Sequence, residues 1–196
     1  MRRSCKSIFF TTSTDAELNF DEDKIISDCA GWDFPIKGLG RASGCASVGL
    51  DITRGKNRDS IYVCWGDTQK ADADVSLVVS RDGGETWSKP LYANTDDKGK
   101  QQWFLWLVVD LVDGSVNIAY YDRSSQEGKL TDVTPARSVD GGRSSAAAEK
   151  RLTRTSPRSA PRDRRPPQFL EGKKTQKSVG IGGGCEPFRF VEIGVY

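Results

Sequence analysis

The fold is indicated most clearly by one stretch of the sequence, Ser80-Arg81-Asp82-Gly83-Gly84-Glu85-Thr86-Trp87. It lies between two runs that are typical of β-strands, residues 75–79 and 89–92. Asp82 can accept hydrogen bonds from backbone N–H groups across a turn, and the two glycines tolerate positive φ. Trp87 then supplies a large ring to bury as the chain becomes extended again. The stretch therefore predicts a β-hairpin.

Two weaker copies of this pattern occur elsewhere in the chain. The first begins at Ser13, keeps Asp15 and ends on an aromatic residue, but it lacks the glycine and the threonine. The other begins at Ser138, keeps Asp140 and Gly142, and ends without an aromatic residue. The three leading serines lie 67 and 58 residues apart. Repeats at this spacing are typical of the blades of a β-propeller or of an array.

Strand-like runs surround these copies in a regular order. Four of them predict a meander at about residues 47–51, 60–65, 74–80 and 88–92. Three more follow at residues 104–110, 116–121 and 131–137, and Asp113-Gly114 is a strong hairpin signal between the first two. Glycine and proline punctuate residues 28–41, which are predicted to form a loop.

The stretch at Ser80 resembles the Asp box, S-x-D-x-G-x-T-W, of the sialidase-like β-propellers, and residues 5–145 are similar to consecutive blades of the bacterial type. The resemblance implies an all-β fold, an incomplete β-propeller of four-stranded antiparallel blades with about two blades and part of a third. It assigns a structural Asp-box role to Ser80, Asp82, Gly84, Thr86, Trp87, Ser138, Asp140, Gly142, Ser13 and Asp15. The first predicted domain is therefore residues 1–145.

The chain departs from this pattern after residue 145. Lys and Arg number 16 against 21 Asp and Glu up to Ala136, but 12 against 4 from Arg137 to Lys177. Such a segment, rich in Arg, Pro and Ser, cannot bury enough apolar surface to offset its ordering entropy, so residues 146–196 are predicted to be disordered. A shifted reading frame would also explain it, and a basic tail that binds acidic partners is the alternative. Nucleic acid is not expected as a partner, because no aromatic residue is interleaved from Ala146 to Gln168.

Several chemistries are excluded by residue types that the 196-residue chain lacks. It contains no histidine, which excludes Ser-His-Asp hydrolysis, Cys-His proteolysis and histidine metal sites. Five widely spaced cysteines without a C-x-x-C pair predict neither a disulfide framework nor a zinc site, and we expect no metal and no cofactor. No run reaches the roughly 18 apolar residues of a membrane span. No signal peptide is predicted either, although the resemblance implies a secreted or periplasmic protein. The oligomeric state is left open.

The resemblance also implies where a ligand would bind. The Asp-box turns lie on one face of such a propeller, and the ligand lies on the opposite face, with the loops between the second and third strands and between blades. Sialidases hold the sugar carboxylate with arginines and use a tyrosine nucleophile and an aspartic acid. The candidate catalytic residues are Asp33, Arg41, Asp122 and Arg123, and the candidate substrate-binding residues are Trp32 and Trp103.

Each candidate also has a structural interpretation. The two tryptophans could be buried between blades, Asp122 and Arg123 could form an ion pair that fixes a loop, and Asp33 could form an Asx turn. Because strand alternation separates Tyr120 from Tyr121, neither is assigned as a nucleophile. The predicted function is a fragment of a sialidase-like glycoside hydrolase with a carbohydrate substrate, inactive or weak as this chain because two blades and part of a third leave open edges. The absence of the family's Arg-Ile-Pro motif favours a second function. The alternative is a non-catalytic module that binds glycans or proteins.

Overall fold

The computed structural model describes residues 7–13, 19–30, 33–70, 72–95, 99–123 and 131–144. Asp15, Trp32 and the predicted basic segment 146–196 lie outside the described residues. The described part of the chain contains eleven β-strands. They are β1 (Ser7–Phe10), β2 (Lys24–Asp28), β3 (Asp33–Ile36), β4 (Gly40–Ser43), β5 (Ser47–Leu50), β6 (Ile61–Asp67), β7 (Asp74–Ser80), β8 (Leu91–Tyr92), β9 (Gln102–Val109), β10 (Val116–Asp122) and β11 (Asp132–Ser138).

These strands form four antiparallel sheets in which sequence neighbours pair. The largest sheet has the order β5-β6-β7-β8, which confirms the predicted four-stranded meander. A three-stranded sheet places β10 between β9 and β11, and the pairs β1-β2 and β3-β4 form the remaining two sheets. The predicted hairpin at Asp113-Gly114 joins β9 to β10, with Gly114 at a φ of +69°. The all-β class expected from the sequence is therefore confirmed.

The prediction of a loop over residues 28–41 is wrong, because this stretch contains β3 and the start of β4. Phe34 pairs with Ala42 and Ile36 pairs with Gly40, and the turn between them uses Gly38 at a φ of +78°. Phe34 and Ile36 are both buried, whereas the intervening Pro35 is exposed. The alternation that makes this segment a strand is therefore real, but it spans only four residues and includes a proline.

The sheets stack face to face, and the β5–β8 sheet lies in the middle. One of its faces packs on β1 and β2, and the other packs on β9 and β10. The first interface is formed mainly by Ile61, Val63, Trp65 and Val78 against Ile8, Phe10 and Ile26. The second is formed mainly by Tyr62, Leu77 and Val79 against Leu105, Leu107 and Ile118. Because both faces of the middle sheet are covered, every residue of β6 and β7 is buried.

One face of the three-stranded sheet packs on the middle sheet. On its other face, four large apolar side chains of β9 and β10 are exposed, with Trp106 65% accessible to solvent. They are Phe104, Trp106, Val108 and Tyr121. The adjacent Tyr120 points the other way and is buried in the interface with the middle sheet, so strand alternation separates the two tyrosines as predicted.

The turn after β7, residues 80–87, is held by a serine and an aspartate. We call it the Ser80 turn. The Ser80 hydroxyl accepts a hydrogen bond from Gly84 N at 2.8 Å and donates one to Asp82 Oδ1 at 2.8 Å. Asp82 also accepts hydrogen bonds from the Thr86 N–H and hydroxyl. These bonds, above all those from Thr86, lower the pKa of the Asp82 carboxyl to about 2.

The turn after β11 repeats this arrangement. In this Ser138 turn, residues 138–144, the Ser138 hydroxyl accepts from Gly142 N at 2.9 Å and donates to Asp140 Oδ1 at 2.7 Å. Ser144 donates to Asp140 from its hydroxyl at 2.6 Å, and this bond is the main cause of the lowered pKa of the Asp140 carboxyl. Of the first copy, Ser13 is buried. The two turns, whose serines lie 58 residues apart, therefore have the same pattern of hydrogen bonds.

The loops and turns that connect the strands lie at the two ends of the stack of sheets. Asn57, in the β5–β6 connection, accepts a hydrogen bond from Arg143, and Arg81 donates to the Gly141 carbonyl. These contacts bring both serine turns and the β5–β6 connection together at one end, which we call the turn end. The β3-β4 hairpin lies at the other end, which we call the hairpin end.

Candidate functional site

The hairpin end brings together most of the predicted site residues that the structure describes. Gln101, just before β9, fixes the β3-β4 hairpin with both groups of its side-chain amide. Its Nε2 donates to the Pro35 carbonyl at 3.1 Å, and its Oε1 accepts from Lys37 N at 3.1 Å. A small apolar cluster that includes Phe34, Ile36 and Trp103 lies beneath the hairpin. These hydrogen bonds and apolar contacts therefore hold the hairpin in place.

Arg123 contacts the same hairpin from the interior of the protein and is only 8% exposed. One guanidinium nitrogen donates to the Lys37 carbonyl at 2.5 Å, and Nε donates to the Thr131 hydroxyl at 3.3 Å. The guanidinium also lies 5.0 Å from the centre of the Trp103 ring. Arg123 therefore fixes a loop through a carbonyl, a hydroxyl and a ring.

Asp122 is buried beside Arg123 and is likewise engaged by the protein. Its Oδ1 accepts from Gln102 Nε2 at 3.1 Å, and its Oδ2 accepts from the Thr134 hydroxyl at 2.7 Å. Gln102 is fully buried, and its Oε1 has no hydrogen-bond partner among the described residues. A carboxylate held in this way links β9, β10 and β11, and its burial keeps it from a sugar on the surface.

Arg41 and Asp33 differ from these residues because they face solvent. Arg41 donates to Asp33 Oδ2 at 3.1 Å across the β3-β4 hairpin, and the two side chains are 74% and 49% exposed. An exposed pair of this kind contributes little stability, on the order of 0 to 1 kcal/mol. Both groups are therefore accessible to a ligand at the hairpin end.

The two predicted tryptophans and a further aspartate are placed as follows. Trp103 is 3% exposed and stacks on Tyr121 with ring centres 5.9 Å apart. Trp32 lies outside the described residues. Asp67, at the same end, is buried and accepts hydrogen bonds from Ala30 N and the Trp65 indole. Arg41 and Asp33 are therefore the predicted catalytic residues that reach solvent.

The sequence reasoning missed the exposed aromatic face of β9 and β10. Phe104 has a φ of +49°, which is uncommon for a residue with a side chain, and it lies where the β9-β10 pairing shifts register between Ala119 and Tyr121. Phe104 packs edge-on against Tyr121 at 6.2 Å. Residues 104–108 are all apolar in the sequence, and a continuous apolar run does not show which face will be covered.

No group of three or more His, Cys, Asp or Glu side chains that could hold a metal ion occurs among the described residues. Within the described ranges, no helix is long and apolar enough to cross a membrane.

The architecture defines the class of this chain as an all-β protein of stacked antiparallel sheets. Its fold is similar to that of sialidases. The Hadza microbial sialidase Hz136 is 20% identical, with a TM-score of 0.46 over 67% of this chain and 28% of that one. The NanB sialidase from Streptococcus pneumoniae is 18% identical, with a TM-score of 0.37 over 63% of this chain and 17% of that one.

The chain thus spans less than a third of the length of either sialidase. No protein-family model matches it, and no curated protein matches it.

Proposed function

We propose that the chain is part of a sialidase-like Asp-box β-propeller and binds carbohydrate at the hairpin end without hydrolysing it. The Ser80 and Ser138 turns have the same pattern of hydrogen bonds, and this repetition supports the propeller assignment. So does the exposed apolar face of β9 and β10, which is suited to packing against a further sheet. Two two-stranded sheets, β1-β2 and β3-β4, precede the four-stranded sheet, and three strands follow it, which fits about two blades and part of a third.

The observation that supports binding is the contrast between Arg41 and Arg123. Arg41 presents its guanidinium to solvent on a fixed hairpin, whereas Arg123 is buried and used by the protein itself. A planar guanidinium binds a carboxylate through two parallel hydrogen bonds, so Arg41 suits an acidic sugar such as a sialic acid conjugate. Without a ligand, the Arg41 guanidinium is paired with the Asp33 carboxylate.

Hydrolysis receives less support from the same residues. A glycosidase needs an acid and a nucleophile or base on the two sides of the scissile bond. Of the two candidate aspartates, Asp122 is buried with two side-chain donors, and Asp33 is exposed. One exposed carboxylate can supply an acid but not both groups. Glycan recognition without turnover is therefore the favoured function of this chain.

Titration of the purified chain with sialyllactose and with lactose tests the proposal. We expect sialyllactose to bind and the Arg41→Ala variant to lose at least about tenfold in affinity, because the carboxylate loses its guanidinium. Arg58→Ala is the matched control, since Arg58 is also exposed and paired with an aspartate, Asp59, but lies in the β5–β6 connection at the turn end. Equal binding of lactose and sialyllactose, or no effect of Arg41→Ala, would refute it.

Sialoside hydrolysis is the second candidate, and the exposed carboxylate of Asp33 is the observation that favours it. A fluorogenic sialoside distinguishes the two functions. Turnover by the purified chain that is lost in Asp33→Asn would replace the binding proposal with catalysis. Turnover that survives Asp33→Asn would point to a contaminating enzyme.

A further inference from the structure

Three turns adjoin one another at the turn end. The β5–β6 connection meets the Ser138 turn at Asn57, whose side chain lies 2.6 Å from the place that a Cβ atom on Gly141 would take. It also meets the β9–β10 turn, residues 110–115, where a Cβ atom on Gly114 would come within 2.9 Å of the Asp51 carboxylate. The three turns therefore form one continuous surface. We call residues 51–59, 110–115 and 138–144 the tip surface.

Each turn of the tip surface carries a large apolar side chain that is exposed to solvent. In the β9–β10 turn, Val112 is 92% exposed and Leu111 is 70% exposed. Val139 of the Ser138 turn and Ile52 of the β5–β6 connection are exposed as well. Single exposed apolar residues are ordinary on a protein surface, but turns are normally polar at their tips. Four such residues on adjoining turns therefore form an unusual apolar patch.

Hydrogen bonds hold the apolar tips in position. The Asp110 carboxylate accepts from Val112 N at 2.7 Å and from Asp113 N at 3.3 Å. In the β5–β6 connection, Asp51 Oδ1 accepts from Thr53 N at 2.8 Å. Because the turns are already ordered in this way, docking through them loses little conformational entropy.

Basic side chains surround the apolar tips. On and beside the tip surface, the exposed bases are Arg54, Lys56, Arg58, Arg137 and Arg143, the exposed acids are Asp59, Asp110 and Asp113, Asp140 is half-buried and Asp51 is buried. Two of the exposed acids pair with arginines of this set. Arg54 and Lys56 make no ion pair or hydrogen bond with another described residue. Their charges are therefore available to an anion.

We propose that the tip surface docks the protein on an anionic lipid membrane. Val112 and its apolar neighbours enter the headgroup region, and Arg54 and Lys56 contact anionic headgroups. The tips form a convex surface, which suits a soft lipid layer. Membrane contact at the turn end directs the hairpin end, with Arg41, away from the bilayer.

Sedimentation of the whole chain with vesicles measures the docking, with phosphatidylcholine alone and an equimolar mixture with phosphatidylserine as the two probes. We expect the double variant Leu111→Ser, Val112→Ser to bind the mixed vesicles at least about tenfold more weakly, because two apolar side chains no longer leave water. Leu39→Ser is the matched control, since Leu39 is also exposed but lies at the tip of the β3-β4 hairpin. The double variant Arg54→Glu, Lys56→Glu should weaken binding to the mixed vesicles at least about tenfold and leave binding to phosphatidylcholine almost unchanged.

Insertion of the tips is measured by fluorescence with brominated phosphatidylcholine in the mixed vesicles, because bromine quenches nearby indole rings. Val112→Trp adds an indole to the tip surface, and Leu39→Trp adds one at the hairpin end. We expect the brominated lipid to quench the added emission of Val112→Trp and not that of Leu39→Trp. Quenching acts only over a short distance, so vesicle binding through the basic segment 146–196 would not produce this difference.

Three results would overturn the proposal. The first is an absence of sedimentation with the mixed vesicles. The second is binding that the Leu111→Ser, Val112→Ser variant retains, since it would assign the membrane contact to another part of the chain. The third is a concentration-dependent dimer that this variant dissociates, because it would assign the tip surface to a second copy of the chain. Since the tip surface lies at the turn end, none of these results depends on whether sialyllactose binds at Arg41.

Discussion

Replacing each glycine of the Ser80 turn by alanine should separate backbone strain from steric overlap. Gly83 has a φ of +74° and Gly84 a φ of +93°, so both positions disfavour a residue with a side chain. A Cβ on Gly83 meets nothing within 4 Å, whereas a Cβ on Gly84 comes within 2.2 Å of the Phe10 ring. Both substitutions introduce backbone strain, and only Gly84→Ala also introduces steric overlap with Phe10.

The expected magnitudes follow from these contacts. A left-handed backbone costs an alanine about 1–2 kcal/mol, which is the whole effect expected for Gly83→Ala. Gly84→Ala must also displace Phe10, which is buried under Trp87, and overpacking of this kind adds about 1–3 kcal/mol. The total for Gly84→Ala is then about 2–5 kcal/mol.

Urea unfolding of both variants at neutral pH measures the difference. The decisive comparison is a double-mutant cycle with Phe10→Leu, whose smaller side chain gives the new methyl group room. In that background, the cost of Gly84→Ala should fall to that of Gly83→Ala. Equal costs in the wild-type background, or a cost of Gly84→Ala that Phe10→Leu leaves unchanged, would refute the proposed overlap.

Three further predictions concern polar groups. The pKa of Asp82 is lowered to about 2 from an unfolded value of about 3.9, so its contribution to stability is present above about pH 4 and is lost as the pH falls toward 2. The urea midpoint should fall over that range, and less so in Asp82→Asn. Ser80→Ala removes a buried hydroxyl with two hydrogen bonds and should cost about 1–3 kcal/mol in urea unfolding. Arg123→Lys loses the planar contact with Trp103 and should speed hydrogen exchange of residues 33–43, whereas Arg58→Lys should not.

The strand order could be predicted because its signals are local. The alternation of Ile61, Val63 and Trp65, the run at residues 75–79 and the Asp113-Gly114 turn each lie within a few residues. The β3-β4 hairpin could not, because its strands have four residues each and one contains Pro35. Short elements of this kind are stabilised by tertiary contacts, here through Gln101 and Trp103, rather than by their own pattern.

The end of the sheets at which the candidate residues lie could be predicted, but the exposure of each residue could not. Topology alone puts the candidate residues at one end of the sheets. Burial of Arg123 depends on the Lys37 carbonyl, 86 residues away in sequence, and no local pattern indicates such a contact. Arg41 and Arg123 look alike in the sequence, and packing alone makes one of them a surface group and the other part of the interior.

The stacking of the sheets also sets the order in which the protein should come apart. The four-stranded sheet is covered on both faces, whereas within the described ranges each outer sheet packs on the middle sheet through one face. Opening of an outer sheet breaks one interface, but opening of the middle sheet requires both to break. Local unfolding therefore proceeds inward from the two ends of the stack, and the amides of β6 and β7 exchange only when the whole described structure opens.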